Sequence, residues 1–349
     1  MSRRIELRSD NTAGVDPAIL AAVAAADDGP APAYGDDRWT AALHARVAEV
    51  FERPDVAVFP VVSGTAANAL GLSALCPPWG SVLCHDSAHI LRSECGATSL
   101  LSGGAVLRGL PGPGSKLDAA GLETALHATA WGDPHQSQPS VLSLTSPTDL
   151  GAVYRPDEVA ALATVAHRHG LRVHLDGARI ANALVTLGCS PADLTWRAGV
   201  DVLSLGATKN GALSTDAIVC FDPAAAAELL YRTKRSGHVA SKMRFQSAQL
   251  DAYLTDGRWL TLAATANAAM TRLAEGLTGL GVAFVVPPEA NMAFVRLDDD
   301  EIDRAEAAGI DFYRMGPGVI RLVTSFRTTP DDVDEALARI AAIRPAGAA

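Results

Sequence analysis

The chain has 349 residues, of which 48% are hydrophobic and 19% are charged. This composition is typical of globular proteins and excludes disorder as the main state. The 29 basic and 39 acidic residues leave a formal net charge of −10. A surface of that sign repels phosphate backbones and anionic lipid headgroups, so we expect neither nucleic acid nor a membrane as a partner.

Five cysteines are spread along the chain without a C-x-x-C pair, which indicates neither a disulfide framework nor a cysteine metal site. The N-terminal segment MSRRIELRSD has no apolar core of the kind that signal peptides need, and no apolar stretch is long enough to span a membrane. We therefore expect a cytoplasmic protein without a bound metal.

Apolar runs of strand length alternate with helix-patterned segments through the first two thirds of the chain, which predicts an α/β fold built from parallel βα units. The predicted buried strands are residues 56–62, 82–84, 105–107, 141–144, 171–175, 200–205 and 217–221. The clearest predicted helices are residues 17–26, 40–51, 117–130 and 156–169. We expect these elements to form a large domain with a mostly parallel sheet, residues 1–245.

The remaining third of the chain has a different pattern. A long helical stretch covers residues 241–280. It is followed by predicted strands at residues 282–286, 293–297 and 319–323 and by predicted helices at residues 300–308 and 330–343. This order predicts a small C-terminal α+β domain, residues 246–349.

Residues that can bind a ligand or take part in catalysis follow three of the predicted strands. The first strand runs into Ser63-Gly64-Thr65, where the free N–H groups of a helix start can bind an anion such as phosphate. A later strand delivers Asp176, followed by Arg179, to the sheet edge where α/β proteins place ligands. Both features also have a plain structural interpretation, because Ser63 and Asp176 are common helix N-caps.

The third strand end carries Lys209, one of only four lysines in the chain. A lysine just past a buried strand loses water, which lowers its pKa and frees the amine for imine formation. A phosphate site, a strand-end carboxylate and a strand-end lysine are together what pyridoxal phosphate requires. The combination predicts this cofactor more specifically than any one part does.

In their order and spacing these pieces resemble the low-specificity L-threonine aldolases, a group of fold-type-I pyridoxal-phosphate enzymes. The resemblance covers nearly the whole chain, and His174-Leu175-Asp176-Gly177-Ala178-Arg179 is its most distinctive stretch. The other matching stretches are Leu7-Arg8-Ser9-Asp10, Tyr34-Gly35-Asp36-Asp37, Ser63-Gly64-Thr65, Ala88-His89-Ile90, Glu94-Cys95-Gly96, Lys209, Asn291-Met292-Ala293-Phe294-Val295-Arg296 and Arg321-Leu322-Val323-Thr324.

The resemblance implies a role for each matching position. Lys209 would carry the cofactor covalently, Asp176 would pair with its pyridinium nitrogen, and His89 would stack on its ring. The phosphate would be bound by Ser63, Gly64, Thr65 and Thr208, and Arg179 would contact both cofactor and substrate. The substrate would be bound by Ser9, Tyr34, His135, Arg179 and Arg321, with His135 facing the β-hydroxyl.

Three of these assignments have structural alternatives. His89 is also explained as a helix-capping or core histidine, Arg321 as a strand-end arginine in a surface ion pair, and His135 as a solvated histidine of a polar loop. The chain also departs from the family where Thr145-Ser146-Pro147-Thr148-Asp149 replaces an Asn-Thr-His stretch. This leaves the role of Asp149 and the side-chain specificity open.

The expected reaction is the reversible cleavage of an L-β-hydroxy-α-amino acid, of the threonine, allo-threonine or phenylserine type, to glycine and an aldehyde. The alternatives are β-elimination or amino transfer on the same scaffold, and a non-catalytic module that binds pyridoxal phosphate. The resemblance also implies a homo-oligomer built as a dimer of dimers.

Overall fold

The computed structural model describes residues 3–344, so the predicted domain limits at residues 1 and 349 lie outside the described residues. Within that range the strands are β1 (Ile5–Glu6), β2 (Ala57–Val61), β3 (Gly80–His85), β4 (Val106–Leu110), β5 (Gln138–Thr145), β6 (Arg172–Gly177), β7 (Val202–Leu205), β8 (Asp216–Cys220), β9 (Ala283–Val286), β10 (Met292–Arg296), β11 (Ile310–Asp311), β12 (Tyr313–Gly316) and β13 (Val319–Val323).

The α-helices are α1 (Pro17–Ala25), α2 (Arg38–Val50), α3 (Gly64–Leu75), α4 (His89–Arg92), α5 (Ala97–Ser102), α6 (Ala119–His127), α7 (Pro156–Arg168), α8 (Ile180–Leu187), α9 (Pro191–Leu194), α10 (Pro223–Arg235), α11 (Arg244–Leu254), α12 (Arg258–Gly279), α13 (Asp299–Ala307) and α14 (Pro330–Ile343). No helix within residues 3–344 is long and apolar enough to cross a bilayer.

The central sheet contains the seven predicted strands in the order β2-β8-β7-β6-β5-β3-β4. Only β8 runs antiparallel to its neighbours. The predicted α/β fold with a mostly parallel sheet is therefore confirmed. Because the other six strands point the same way, their carboxyl ends meet at one edge, and the turns that follow them converge there.

Helices cover both faces of this sheet, as the continuous burial of β6, β7 and β8 requires. Val173 and Leu175 of β6 pack into the largest hydrophobic core together with α7. His174 and Asp176 alternate to the opposite face, where α3 lies. Gly71 of α3 permits the helix to pack closely on this face, since a Cβ there would stand 3.1 Å from Val202 Cγ1, closer than ordinary contact.

The C-terminal part forms a four-stranded antiparallel sheet in the order β12-β13-β10-β9. Its hydrophobic core also takes in Ile5 and Leu7, because β1 pairs in parallel with β11. Helix α12 contributes to both cores: Ala263 packs in the large one and Ala269 in the small one. The division at residue 245 stays a prediction.

Two sequence expectations differ from the structure. The helical stretch predicted for residues 241–280 is interrupted at Asp256 and Gly257, both of which have positive φ angles, so α11 and α12 are separate helices. The strands β1, β11 and β12 were not predicted, because they are two to four residues long and lack the apolar alternation that indicates a strand.

Candidate active site

A cavity of about 460 Å³ lies at the carboxyl edge of the central sheet. Its walls come from the turn between β2 and α3, from the ends of β5, β6 and β7, and from β12 and β13 of the C-terminal sheet. Most predicted site residues line it, namely Ser9, Ser63, Gly64, Thr65, His89, Asp176, Arg179, Thr208, Lys209 and Arg321.

Asp176 is held rigidly at the end of β6. One carboxylate oxygen accepts the backbone N–H of Ala178 at 3.0 Å, and the other accepts the Asn68 side-chain amide at 2.9 Å. The following helix begins at Ile180 with Arg179 as its N-cap residue. Asp176 is therefore not the N-cap of α8, and its carboxylate faces the cavity.

Lys209 follows β7 on a short 3-10 turn. Loss of water lowers the pKa of its amine, and the neighbouring Arg179 charge lowers it further. The nearby carboxylates raise this pKa, but the net shift is downward. Asp216 fixes the turn by accepting the N–H groups of Ala207 and Thr208 at 2.7 and 3.0 Å. The amine is thus positioned and biased toward its nucleophilic neutral form.

The predicted phosphate site is the start of α3. The hydroxyl of Ser63 caps the helix by accepting the N–H of Ala66 at 3.3 Å, which leaves the earlier N–H groups at Gly64 and Thr65 directed at the cavity. In the same cavity the Thr208 hydroxyl is buried without a hydrogen-bond partner. A helix N-terminus together with an unpartnered hydroxyl is suited to a phosphate.

Two guanidinium groups, those of Arg179 and Arg321, line the cavity. Arg179 donates to both carboxylate oxygens of the buried Asp10, at 2.6 and 2.9 Å. Burial would lower the pKa of Arg179, but the Asp10 charge raises it above its ordinary value. Arg321 has no such carboxylate: its Nε is buried without a partner, and burial together with the Arg179 charge lowers its pKa.

This arrangement suits a substrate carboxylate. An anion between the two arginines would relieve their repulsion and satisfy the unpartnered Arg321 donor. Ser9, the N-cap of a short turn with its hydroxyl bonded to Asn11, adds a further polar group to the same wall.

A hydrogen-bonded chain links His89 to Asp176. The ring Nδ1 of His89 lies 2.9 Å from Glu94, Glu94 accepts from Asn68 at 2.9 Å, and Asn68 also donates to Asp176. The hydrogen bond to Glu94 raises the pKa of His89. Glu94 and Asn68 were missed as site residues, although Glu94 lies in one of the matching stretches.

Tyr34 and His135 are not brought to the cavity of their own chain. Tyr34 is 56% exposed and lines a second cavity of about 440 Å³. His135 is exposed on the turn that precedes β5. The eight residues of β5 separate that turn from the carboxyl edge by roughly 26 Å. Their assignment to the substrate stays a prediction.

The residues that are present fit pyridoxal phosphate. The desolvated Lys209, the fixed carboxylate of Asp176, and the helix start with the unpartnered Thr208 hydroxyl match its aldehyde, its ring nitrogen and its phosphate. Fold and site together define a fold-type-I pyridoxal-phosphate enzyme.

Sequence and structural similarity to known proteins supports this class. The beta-eliminating lyase family model matches residues 6–300. A low specificity L-threonine aldolase of Pseudomonas sp. (strain NCIMB 10558) is 40% identical over 344 residues, 98% of each chain. Another, of Pseudomonas aeruginosa, is 42% identical over 332 residues, 95% of each chain. A solved threonine aldolase of Leishmania major matches with a TM-score of 0.89 and 27% identity, covering 97% of this chain and 98% of that one.

The chain belongs to the beta-eliminating lyase family and, within it, to the low-specificity L-threonine aldolases. It is therefore a lyase that depends on pyridoxal phosphate, as the sequence resemblance predicted.

Proposed function

We propose that this lyase cleaves L-β-hydroxy-α-amino acids reversibly to glycine and an aldehyde, with threonine, allo-threonine and phenylserine as the substrate class. The observation that carries the proposal is the pair of arginines that line the cavity with Lys209, because the unpartnered Nε of Arg321 can donate to the carboxylate of a free α-amino acid. The full-length similarity to enzymes named low specificity L-threonine aldolase supports the same reaction.

The cofactor, when bound, supplies an electron-accepting ring conjugated to the substrate amine. Lys209 would attach it, Asp176 would keep its ring nitrogen protonated, and Thr208 with the start of α3 would hold its phosphate. The ring of His89, oriented by Glu94, would lie against the cofactor ring. Each of these roles uses an atom that the fold has already fixed.

Arg179 and Arg321 would orient the substrate rather than react with it. By holding the carboxylate they would determine which of the three bonds at Cα is oriented for cleavage. When that bond is Cα–Cβ, cleavage releases an aldehyde. Asp10 keeps Arg179 fixed during this step, since it binds the guanidinium through two parallel hydrogen bonds.

A β-eliminating activity is the second candidate, because the matching family model is that of beta-eliminating lyases. The two reactions release different products. A panel of threonine, allo-threonine, phenylserine and serine, with glycine, aldehyde and ammonia quantified, tests the proposal. Equal amounts of glycine and aldehyde support aldol cleavage, whereas ammonia with a keto acid would contradict it.

We also infer a homo-oligomer built as a dimer of dimers, in which another copy would bring Tyr34 or His135 to the cavity. The mass of the holoenzyme in solution tests the oligomer: a mass of four chains supports it, and a monomer contradicts it. Crosslinking of His135 or Tyr34 to a cavity residue of another chain supports a shared site, and crosslinks confined to the chain surface outside the cavity contradict it.

The five cysteines, all within the described residues, are free thiols. Three of them, Cys76, Cys84 and Cys220, are buried, and burial raises the pKa of each thiol. Unpaired cysteines of this kind support the cytoplasmic location that we infer from the sequence.

A further inference from the structure

Aldol cleavage requires a group that takes the proton of the β-hydroxyl. His135 does not line the cavity of its own chain and so cannot be that group there. The acid and base side chains that line the cavity, apart from Lys209, the two arginines and Tyr313, are His89, Glu94, Asp149, Asp176 and Asp216. Most of these groups are already engaged in hydrogen bonds that the fold requires.

Three of the carboxylates have structural partners. Glu94 accepts from His89 and Asn68, and its side chain is 1% exposed. Asp176 accepts from Asn68 and from a backbone N–H. Asp216 accepts two backbone N–H groups of the turn that carries Lys209. Protonation of any of these carboxylates during catalysis would weaken the contacts that position the cofactor or the lysine.

His89 is also a poor acceptor. Its Nδ1 is engaged by the hydrogen bond to Glu94, which also raises the pKa of the ring and fixes its orientation. The ring is better suited to lie flat against a cofactor than to deprotonate a hydroxyl.

Asp149 differs from the other acidic groups of the cavity. Among residues 3–344, no side chain donates a hydrogen bond to its carboxyl. The pKa of that carboxyl is set by burial, by nearby charges and by the backbone N–H of His89. It is partly exposed and lines the cavity just beyond the end of β5, the strand that pairs with β6 opposite Asp176.

The backbone fixes Asp149 in a tight turn. Thr148 donates its N–H to Ala152 at 2.7 Å, and Gly151 donates to Thr148 at 2.8 Å. The Thr148 hydroxyl donates to Gly114 at 3.0 Å and ties the turn to the neighbouring loop. The Asp149 carboxyl is therefore positioned by the fold but remains free to gain and lose a proton.

We propose that Asp149 is the catalytic base that takes the proton of the substrate β-hydroxyl; this proposal rests on the aldolase function proposed above. The proton passes from the β-oxygen to the carboxylate, and the O–H electron pair forms the C=O bond of the aldehyde. The Cα–Cβ bond breaks, its electron pair stays on Cα, and Cα later takes a proton to give glycine. In the synthetic direction Asp149 returns the proton to the new hydroxyl.

The charges around Asp149 suit this role. Burial and the Asp176 carboxylate raise its pKa to about 6, while His89 and Arg179 act in the opposite direction. A base must be unprotonated to act, so cleavage should fall as the pH drops through about 6. A carboxyl with a pKa near the working pH is also a better base than an ordinary aspartate.

The test compares two reactions of the same holoenzyme. Exchange of the α-hydrogen of glycine with solvent needs the cofactor, Lys209 and the arginines, but glycine has no β-hydroxyl. Asp149→Asn should therefore lower phenylserine cleavage by about 10²-fold or more and leave glycine exchange and cofactor content near native values. Asp149→Glu should recover part of the cleavage, and the acidic limb of the pH profile should be absent in Asp149→Asn.

Asp55→Asn serves as the matched control, because it removes one carboxylate from an exposed surface ion pair. The proposal would be overturned if Asp149→Asn cleaved phenylserine at the native rate. It would also be overturned if the variant lost phenylserine cleavage and glycine α-hydrogen exchange to the same extent. Selective loss of cleavage in His135→Ala, with Asp149→Asn unaffected, would assign the proton to His135 instead. If the wild-type enzyme exchanges glycine but cleaves none of the β-hydroxy amino acids, the proposed function fails.

Discussion

The two edges of the central sheet carry the same kinds of side chain in different surroundings. At the amino edge, His167 lies 3.1 Å from Asp201, and Arg172 lies 3.1 Å from Asp222. His167 and Arg172 are 41% and 49% exposed. At the carboxyl edge, Arg179 is buried against Asp10, and Arg321 and Thr208 hold unpartnered polar atoms.

The difference shows that residue type alone does not define a site. The charged groups of an exposed ion pair are well solvated whether or not they are paired. Such a pair therefore contributes little to the free energy of unfolding, about 0–1 kcal/mol. Buried groups whose hydrogen bonds are incomplete keep an affinity for a ligand that completes them. The carboxyl edge places unpartnered donors of Arg321 and Thr208 around a cavity, and the predictions below separate the two edges experimentally.

The largest expected effect is at Lys209. Lys209→Ala removes the only amine among the cavity-lining residues of the described chain and should lower cleavage by about 10³-fold or more. The purified variant should also lose the yellow colour of the covalently bound cofactor. Substitution of Lys116, which bonds to Glu158 and does not line the cavity, serves as the control and should keep both properties.

The next effect is at Asp176. Asp176→Asn removes the charge that keeps the cofactor ring nitrogen protonated, so every step that places electron density on the ring should slow, by about 10²-fold. Cofactor content, measured by absorbance, should remain because the lysine and the phosphate site are intact. Near-native turnover with a native spectrum would contradict the assignment.

A smaller effect is expected at Glu94. Glu94→Gln keeps a hydrogen-bond acceptor but removes the charge that raises the pKa of His89, so the pKa of the ring should fall. The His89 resonances in an NMR titration measure this shift directly. Cofactor affinity should fall by about 10-fold, the size of one weakened charged hydrogen bond. An unchanged His89 titration would show that Glu94 only fills space.

The smallest effect is expected at the amino edge. His167→Gln removes an exposed partner of Asp201 and should change kcat/KM by less than about twofold, with a stability change below about 1 kcal/mol. Steady-state kinetics and thermal unfolding measure both. A large loss of activity would show that the amino edge of the sheet contributes to catalysis and would contradict the distinction between the two edges.

Much of the fold could be predicted because the strands of a parallel sheet are buried on both faces and therefore appear as apolar runs. Asp176 and Lys209 could be predicted for the same reason, since each directly follows such a run. The sequence also indicated where β10, β13 and α14 lie. The alternative interpretation of Asp176 as a helix N-cap is wrong, because β6 continues through Gly177 and the next helix begins at Ile180 with Arg179 as its N-cap.

The rest depends on contacts between distant parts of the chain. Asp10 bonds to Arg179 across 169 residues, and Asn68 bonds to Asp176 across 108. No local pattern marks such a pair, because the two partners lie on separate elements far apart in the sequence. His135 and Tyr34 illustrate the opposite case: the family resemblance assigned them to the site, but their own chain leaves them outside its cavity.

The central claim is that the carboxyl edge of the sheet holds the reactive amine. Borohydride reduction of the yellow holoenzyme, followed by peptide mapping, tests it most directly because reduction fixes the cofactor on the lysine that carries it. The label should be found on Lys209 in near-stoichiometric amount. A label on Lys116, Lys234 or Lys242 would contradict the account.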